Sequence, residues 1–433
     1  MSLQARIEGK TARVAVVGQG YVGLPLAVEF ARVGFRVTGL DADRERVAAL
    51  IRGESYIPDV PSRVLQQVSA SGCYVATSDV AVLADQDAIV LCVPTPLRKS
   101  KDPDVSHVLA SARDVARYLV PGQLVVLEST TYPGTTEEVL LPMFQERGLR
   151  VGRDFYLAFS PERIDPGNVT YSVRDIPKLV GGITPACTRM AALLYRQIVG
   201  QVFELSSPTV AELAKLYENT FRSVNIALAN ELALICHHLG VSVWEVIEAA
   251  ATKPFGFMAF SPGPGIGGHC IPIDPFYLSW KARLNGYEAK FIALADEINR
   301  TMPRFVLGLV TEALNQRGKP INGTKILVVG VAYKRGVGDV RESPALEIIE
   351  ELLRKGAHVR YSDPFVPTLA LPDRRLEAAA MNRELLQWSE LALILTDHRE
   401  FDYEAIVSQA PLVVDTRNAT RGLTAPAGRI FRL

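Results

Sequence analysis

Short apolar runs, separated by segments in which apolar residues return every three or four positions, dominate the first half of the chain. Arg13-Val14-Ala15-Val16-Val17, Arg36 to Leu40, Ala88 to Val93, Leu124 to Leu127, Tyr156 to Phe159 and Val202 to Leu205 are the clearest runs. Apolar residues without alternation suit strands covered on both faces. Their alternation with helical segments such as Leu24 to Arg32 predicts a doubly wound parallel sheet. From Pro208 to about Met302 the pattern becomes that of long helices, and Thr209 to Leu239 is amphipathic throughout, without glycine or proline. From Lys325 onward the short runs return: Lys325 to Val329, His358 to Ser362, Ala392 to Thr396 and Leu412 to Asp415. The expectation is an α/β chain of two doubly wound lobes joined by a long-helix central domain, divided at 1–207, 208–302 and 303–433. A helix joining two lobes is a natural dimer element, although it serves equally as an internal spine.

Composition narrows the class. The chain has 433 residues, 48% of them apolar, which suits two or three cored domains better than one. No apolar run approaches the ~18 residues that span a bilayer, and no signal-type apolar segment precedes the first strand. A cytoplasmic enzyme is expected. The 47 basic and 47 acidic residues cancel, so no global field favours nucleic acid or a membrane surface, and an anionic substrate must be held by local charges. Cysteines at 73, 92, 187, 236 and 270 are odd in number and lack CxxC pairs, which indicates neither a disulfide framework nor a metal site.

A dinucleotide fingerprint follows the first strand. Gly18-Gln19-Gly20-Tyr21-Val22-Gly23 sits between a strand and a helix. The first glycine makes the turn, the second lets backbone approach a pyrophosphate, and the third packs helix on strand. Asp41, at the end of the second strand, is spaced to hold the adenosine ribose and to repel a 2′-phosphate, favouring NAD. Arg44 and Arg46 close by keep NADP as the lesser reading.

Gly265-Ile266-Gly267-Gly268-His269-Cys270-Ile271-Pro272-Ile273-Asp274 places a thiol in a glycine-rich turn, four residues before a carboxylate. That combination offers a nucleophile, close backbone approach and a partner for water. A small buried cysteine in a plain turn has the same local sequence, so the rest of the chain must decide. The second lobe opens with Gly330-Val331-Ala332-Tyr333-Lys334, without the dinucleotide spacing, and its second strand ends in Asp363-Pro364. Lys334, Arg335 and Arg341 cluster around Gly336 and Gly338, supplying cations and amides for phosphate. A nucleotide other than a dinucleotide is expected there, with a solvated basic loop as the alternative.

Taken together, Val14-to-Asp41, Val93-Pro94-Thr95-Pro96, Glu128-Ser129-Thr130, Ser160-Pro161-Glu162-Arg163, Glu212-Leu213-Ala214-Lys215-Leu216-Tyr217-Glu218-Asn219, the Cys270 turn and Gly338-Asp339-Val340-Arg341-Glu342-Ser343 resemble the UDP-glucose/GDP-mannose dehydrogenase family over nearly the whole chain. The resemblance implies an NAD-binding Rossmann domain, a central helical domain for dimerisation and catalysis, and a C-terminal Rossmann-like domain for a UDP-sugar. It implies oxidation of a C6 alcohol to a uronic acid, a precursor class for polysaccharide biosynthesis, with two NAD consumed per turnover. One hydride transfer stops at the aldehyde, and a thiol makes the second possible: Cys270 forms a thiohemiacetal, which becomes a thioester that water hydrolyses. Lys215 and Asn219 share a helix face and donate to the oxyanion. Asp274 and Glu162 partner the water, and Thr130 holds that water or the nicotinamide amide. Cofactor contacts are expected from Gly18, Gly20, Tyr21, Val22, Gly23, Asp41, Arg46, Pro94, Thr95, Ser129, Thr130 and, from the last lobe, Arg341. Substrate contacts are expected from Glu162, Arg163, Lys215, Asn219, Gly265, Gly267, Gly268, Lys334 and Arg417. His269 either lowers the Cys270 pKa as an imidazolium or only donates a hydrogen bond, and is left outside the catalytic set.

Gly-Gly-His-Cys-Ile-Pro-Ile-Asp-Pro-Phe-Tyr resembles bacterial enzymes that oxidise UDP-N-acetylglucosamine more than UDP-glucose enzymes, whose cysteine turn lacks the histidine. UDP-N-acetylglucosamine is therefore the expected substrate, followed by UDP-N-acetylmannosamine, UDP-N-acetylgalactosamine and UDP-glucose. Three rivals remain: a two-electron NAD dehydrogenase, which needs no Cys270; an aldehyde dehydrogenase, which skips the alcohol; and a dinucleotide-sensing regulatory protein, which turns nothing over.

Overall fold

Strands β1 (Arg13–Val17), β2 (Arg36–Leu40), β3 (Tyr74–Thr77), β4 (Ala88–Leu91), β5 (Leu124–Leu127), β6 (Tyr156–Phe159), β7 (Lys178–Gly182) and β8 (Val202–Leu205) form one sheet. It is seen in a computed structural model that describes residues 1–98, 101–163 and 171–433. The order is β3-β2-β1-β4-β5-β6-β7-β8, the dinucleotide-binding order with two strands added at one edge. All neighbours run parallel except β6 and β7. The apolar runs form strands because both faces are covered. Val14, Val16, Ala88, Val90, Leu124 and Val126 pack with Leu24, Phe30 and Leu194 on one face. Their neighbours Ala15, Val17, Ile89, Leu91, Val125 and Leu127 pack with Val108, Ala112, Val115 and Phe144 on the other. Burial of each such Val or Leu contributes ~1.5–3 kcal/mol, and a charge at the fully buried Val16 would have no partner on either side.

This sheet belongs to a unit made of Met1–Glu218 and Phe276–Glu288; a second unit is made of Asn219–Pro275 and Ala289–Leu433. The division falls within the helix Pro208–Leu239. Ser207 Oγ accepts from Val210 N (3.3 Å) at the start of that helix, where Pro208 has no N–H to satisfy, and Gly240 with φ +68 ends it. Beside apolar Ala211, Leu216 and Ala233 it buries polar side chains: Glu212, Lys215, Asn219, Ser223 and Asn230 are each at most 8% exposed, while Leu213, Tyr217, Leu228 and Leu239 face outward. An ordinary surface helix does not bury so many polar side chains or expose so many large apolar ones.

In the second unit β9 (Lys325–Val329), β10 (His358–Ser362), β13 (Leu391–Ile394), β14 (Val413–Asp415) and β15 (Ile430–Arg432) form a parallel sheet, and β11 (Thr368–Leu371) pairs with β12 (Arg374–Glu377) as a separate hairpin. The sheet order is β10-β9-β13-β14-β15. Its two faces are covered as in the first unit: Ile326 and Val328 pack with Val306 and Val310 of the helix Lys290–Asn315, and Leu327 and Val329 pack with Leu385 and Ile406. The expected architecture of two Rossmann-like sheets and intervening helices is what the chain adopts. No helix among the described residues is long and apolar enough to cross a membrane.

Candidate active site

The glycine turn after β1 is built by close contact. Gly18 has φ +91, and a Cβ there would lie 2.5 Å from Cys92 O; one on Gly23 would lie 1.7 Å from Gly18 O. A Cβ on Gly20 would meet nothing within 4 Å, so that backbone stands open to a ligand. Asp41 accepts from Gln19 N (2.7 Å) and Asp43 N (2.9 Å), which fixes its carboxylate beside the turn with lone pairs left for a diol. Arg46 lies 3.9 Å from Asp41 and covers the Tyr56 ring. Tyr56 bonds Gln19 O, and burial together with Asp41 pushes its hydroxyl pKa up to about 12, so it stays a donor. Val22 caps the helix Gly23–Arg32, and Tyr21 beside it is exposed.

The ends of β5, β6 and β7 carry a second group of residues in the same unit. Ser129 donates to Leu91 O, and Thr130 follows it at the strand end, half-buried. Glu128 is fully buried, bonded by Lys178 and by Tyr195 Oη (2.5 Å), and Lys178 also reaches Pro161 O (3.2 Å) and Glu162 Oε2 (3.5 Å). Burial pushes the Glu128 carboxyl up against the pull of Lys178, which pairs with it. Burial also disfavours the Lys178 cation, but Glu128 and Glu162 outweigh it and raise its pKa. Arg163 directs three donors to Glu218 (3.2 and 2.7 Å) and Pro177 O (2.8 Å), which ties the Glu162 loop to the long helix. Pro94 is exposed and Thr95 half-buried; the carbonyls of Thr95 and Pro96 accept from Tyr277 Oη at 3.0 and 3.1 Å.

Lys215 and Asn219 lie one turn apart on the buried stripe and are therefore not a solvated polar face. In the second unit, Asn219 Nδ2 donates to Asp274 Oδ2 (2.5 Å), and Asp274 N donates to Cys270 O (2.7 Å). The amide, the carboxylate and the exposed thiol turn thus form one cluster. Glycines seat the turn: a Cβ on Gly265 would lie 3.0 Å from Pro344, on Gly267 2.7 Å from Glu342 O, and on Gly268 2.9 Å from the Tyr333 ring. Gly268 N donates to Arg341 O (3.1 Å). His269 Nε2 lies 2.8 Å from Asp339 and 2.6 Å from Arg341, which itself pairs with Asp339. Burial opposes ionisation of Asp339, but His269 and Arg341 hold its carboxyl well below the usual range. Arg417 donates to Leu395 O (2.9 Å) and lies so close to Gly263 that a Cβ there would be 2.5 Å from Nη1. Burial, with Arg335, pulls the Arg417 pKa down to about 10 against the opposing pull of Asp415. Lys334, half-buried, follows Tyr333 in the same loop. Asp363 accepts from Val331 N (2.8 Å) and Ala332 N (3.2 Å), repeating the part of Asp41 in the first unit.

Several partners escape sequence reasoning. Lys178 and Tyr195 hold the two carboxylates of the first unit. Asp339 anchors His269, and Asn230 holds the loop before Cys270 through Gly263 N (2.9 Å). A lysine opening the apolar strand Lys178-Leu179-Val180 was the one visible signal, since such a lysine has to find acids when buried.

Three successive stretches match known domains: residues 12–199 an NAD binding domain, 209–301 a central domain and 327–422 a UDP binding domain, all described for UDP-glucose/GDP-mannose dehydrogenases. The chain belongs to the UDP-glucose/GDP-mannose dehydrogenase family. It is 38% identical over 428 residues to the UDP-N-acetyl-D-mannosamine dehydrogenase of Pyrococcus horikoshii, covering 97% of this chain and 98% of that protein. It is 37% identical over 359 residues to a UDP-N-acetyl-D-glucosamine 6-dehydrogenase of Pseudomonas aeruginosa, covering 82% and 84%. A solved structure of UDP-D-ManNAc dehydrogenase from Pyrococcus horikoshii superposes with a TM-score of 0.88 at 36% identity, over 97% of this chain and 98% of that one. The chain is an NAD-dependent UDP-sugar 6-dehydrogenase, and its family consumes two NAD per turnover. The open Gly20 backbone and the fixed Asp41 carboxylate fit the dinucleotide.

Proposed function

We propose that the enzyme oxidises the C6 alcohol of UDP-N-acetylglucosamine to the uronic acid through a covalent intermediate on Cys270. The observation that carries this reading is the Asn219, Asp274 and Cys270 cluster, in which a buried amide donates to a buried carboxylate and that residue's backbone N–H donates to the carbonyl of the exposed cysteine. When bound, NAD accepts the hydride in each of the two oxidations. The protein supplies the remaining steps. Cys270 Sγ attacks the aldehyde carbon, and the carbonyl π pair moves to oxygen, which Asn219 and Lys215 stabilise as donors. After the second oxidation the carbon is a thioester. Water attacks it, loses a proton to Glu162 or Asp274, and expels the Cys270 thiolate as acid is released. Thr130 holds the water, and Arg163 steadies the Glu162 loop. Asp41, Arg46, Tyr21, Val22, Pro94, Thr95, Ser129 and the glycine turn take the cofactor, with Arg341 on its pyrophosphate. Lys334 and the Gly265 to Gly268 backbone take the diphosphate sugar, and Arg417 the sugar hydroxyls.

The histidine-bearing Cys270 turn and the Pseudomonas aeruginosa relative favour the gluco substrate. The relative that spans 97% of the chain favours UDP-N-acetylmannosamine as the second reading. NADH formed per sugar consumed, measured across the four UDP-sugars, tests both. Two NADH with the highest kcat/KM for UDP-N-acetylglucosamine supports the first reading, a higher value for the manno epimer supports the second, and one NADH per turnover overturns both. We further propose a homo-oligomer closed over Leu213, Tyr217, Leu228 and Leu239, testable by mass in solution.

A further inference from the structure

Among the described residues, the one antiparallel step in the first sheet delivers a lysine to a carboxylate. Phe159 pairs with Gly181 and Ala158 with Gly182, and continuing that register sets Glu162, just past β6, against Lys178, the first residue of β7. A parallel β7 would open at the opposite edge of the sheet. Lys178 is 4% exposed, and its three ammonium protons face three acceptors: Glu128 Oε1, Pro161 O at 3.2 Å and Glu162 Oε2 at 3.5 Å. Tyr195 closes the far side, its hydroxyl on Glu128 Oε2 and its ring 5.2 Å from Lys178 Nζ. The other Glu162 oxygen accepts from Arg163 N (2.6 Å).

We propose that Lys178 is a positioning residue for Glu162, fixing its carboxylate and keeping it ionised as a base, with Glu128 as the counter-charge that retains the ammonium in the interior. The proposal rests on Glu162 serving as a base in the hydrolysis. Lys178 itself touches neither substrate nor cofactor in this role. Charged and titratable groups near Glu162 include Lys178 from β7, Glu128 from the end of β5, Cys92 from the end of β4 and the adjacent Arg163, whose guanidinium is paired with Glu218 on the long helix; Tyr195 bears on it through Glu128. Lys178 directs its positive charge at the Glu162 carboxylate, whereas the Arg163 guanidinium is turned to Glu218 and Pro177 O. Burial and Glu128 push the Cys92 thiol up, and burial and Glu128 push the Tyr195 hydroxyl up, so both stay neutral. Glu128 and Lys178 therefore act on Glu162 with opposite signs.

The opposite signs give the test. An adjacent cation depresses a carboxyl pKa by about 1–3 units, so Lys178→Met moves the acid limb of the kcat profile up by about one pH unit or more, with KM for NAD and UDP-sugar within about twofold. Lys178→Arg keeps the limb near its wild-type position. Glu128→Gln removes a negative neighbour and moves the limb down. The substrate is whichever UDP-sugar of the panel turns over fastest. A purely structural Lys178 instead lowers kcat by one factor at every pH and leaves the limb in place, which overturns the proposal, as do equal-sign shifts in Lys178→Met and Glu128→Gln. Glu162→Gln separates the two levels: loss of the limb upholds the base assignment, and retention of the limb overturns it. Carbon-13 titration of the Glu162 carboxyl in the protein without NAD, assigned by difference against Glu162→Gln, reads the electrostatics directly. A midpoint raised in Lys178→Met supports the positioning, and an unchanged midpoint overturns it. If Lys178→Met does not fold, the downward shift in Glu128→Gln decides.

Discussion

Gly268→Ala is the sharpest probe of how the cysteine turn is held. Gly268 has φ +94, where an L side chain costs ~1–2 kcal/mol. Its Cβ would also lie 2.9, 3.1 and 3.3 Å from three atoms of the Tyr333 ring, which cannot retreat freely because Tyr333 N is bonded to Asp339 O (2.9 Å). Overpacking of that kind costs a further ~1–3 kcal/mol. The sum of ~2–5 kcal/mol is within reach of a domain's total stability, so a local shift of the turn is the cheaper response. Cys270 lies two residues on, and misplacing a reacting group by ~1 Å costs about 100-fold in rate. The variant should fold, bind NAD as the wild type does, and lose about 10- to 100-fold in kcat. Gly422→Ala is the control: φ is +76 but no atom lies within 4 Å of the added Cβ, so it pays only the backbone cost and keeps its kcat. Melting temperature by circular dichroism, NAD affinity by fluorescence and NADH production measure the three quantities. A Gly268→Ala enzyme with wild-type kcat, or one matched by Gly422→Ala in lost rate, refutes the reasoning.

Asp41→Ala should narrow the preference for NAD over NADP by removing the carboxylate that meets a 2′-phosphate; equal kcat/KM for the two cofactors in the wild type would show that Arg46, 3.9 Å away, overrides Asp41. Asp339 is depressed because His269 and Arg341 outweigh its burial, so the native state binds fewer protons than the unfolded chain as pH falls through the ordinary aspartate range near ~4. Its contribution to stability is therefore present above that range and lost below it. The melting temperature of Asp339→Asn should fall short of wild type at neutral pH, and the gap should start to narrow as pH falls below ~4; a gap that widens toward acid would contradict the sign. If Lys215 is the oxyanion donor we propose, Lys215→Ala should slow thioester hydrolysis more than it weakens NAD binding, since such a donor is worth ~10²–10³ in rate.

What could be read from the sequence was local. Strands covered on both faces announce themselves as unbroken apolar runs, which is why β1, β4 and β5 are evident from Val14 to Val17, Ala88 to Leu91 and Leu124 to Leu127. β7 is not evident: it opens on a lysine, closes on two glycines, and runs antiparallel to the preceding strand β6, a direction that no local pattern announces. The three residues of β15 carry too little pattern to stand out from the proline- and glycine-bearing loop before them. In the site, Cys270, Asp274 and the dinucleotide glycines were visible because their chemistry is written in neighbouring residues. The supports were not, because each is non-local: Tyr333 beneath Gly268, Asp339 against His269, Arg417 over Gly263, and Lys178 between Glu128 and Glu162. Lys215 and Asn219 share a face by helical spacing alone, but only packing decides that the face is buried.

The covalent role of Cys270 is the central claim, and intact-protein mass spectrometry tests it most directly. With Asp274→Asn turning over UDP-N-acetylglucosamine and NAD, hydrolysis is slowed and a sugar-nucleotide adduct should build up on the chain, map to Cys270, and be absent from the Asp274→Asn, Cys270→Ala double variant. An enzyme carrying Cys270→Ala that still yields the uronic acid at a steady rate, with no adduct on any variant, would contradict the account.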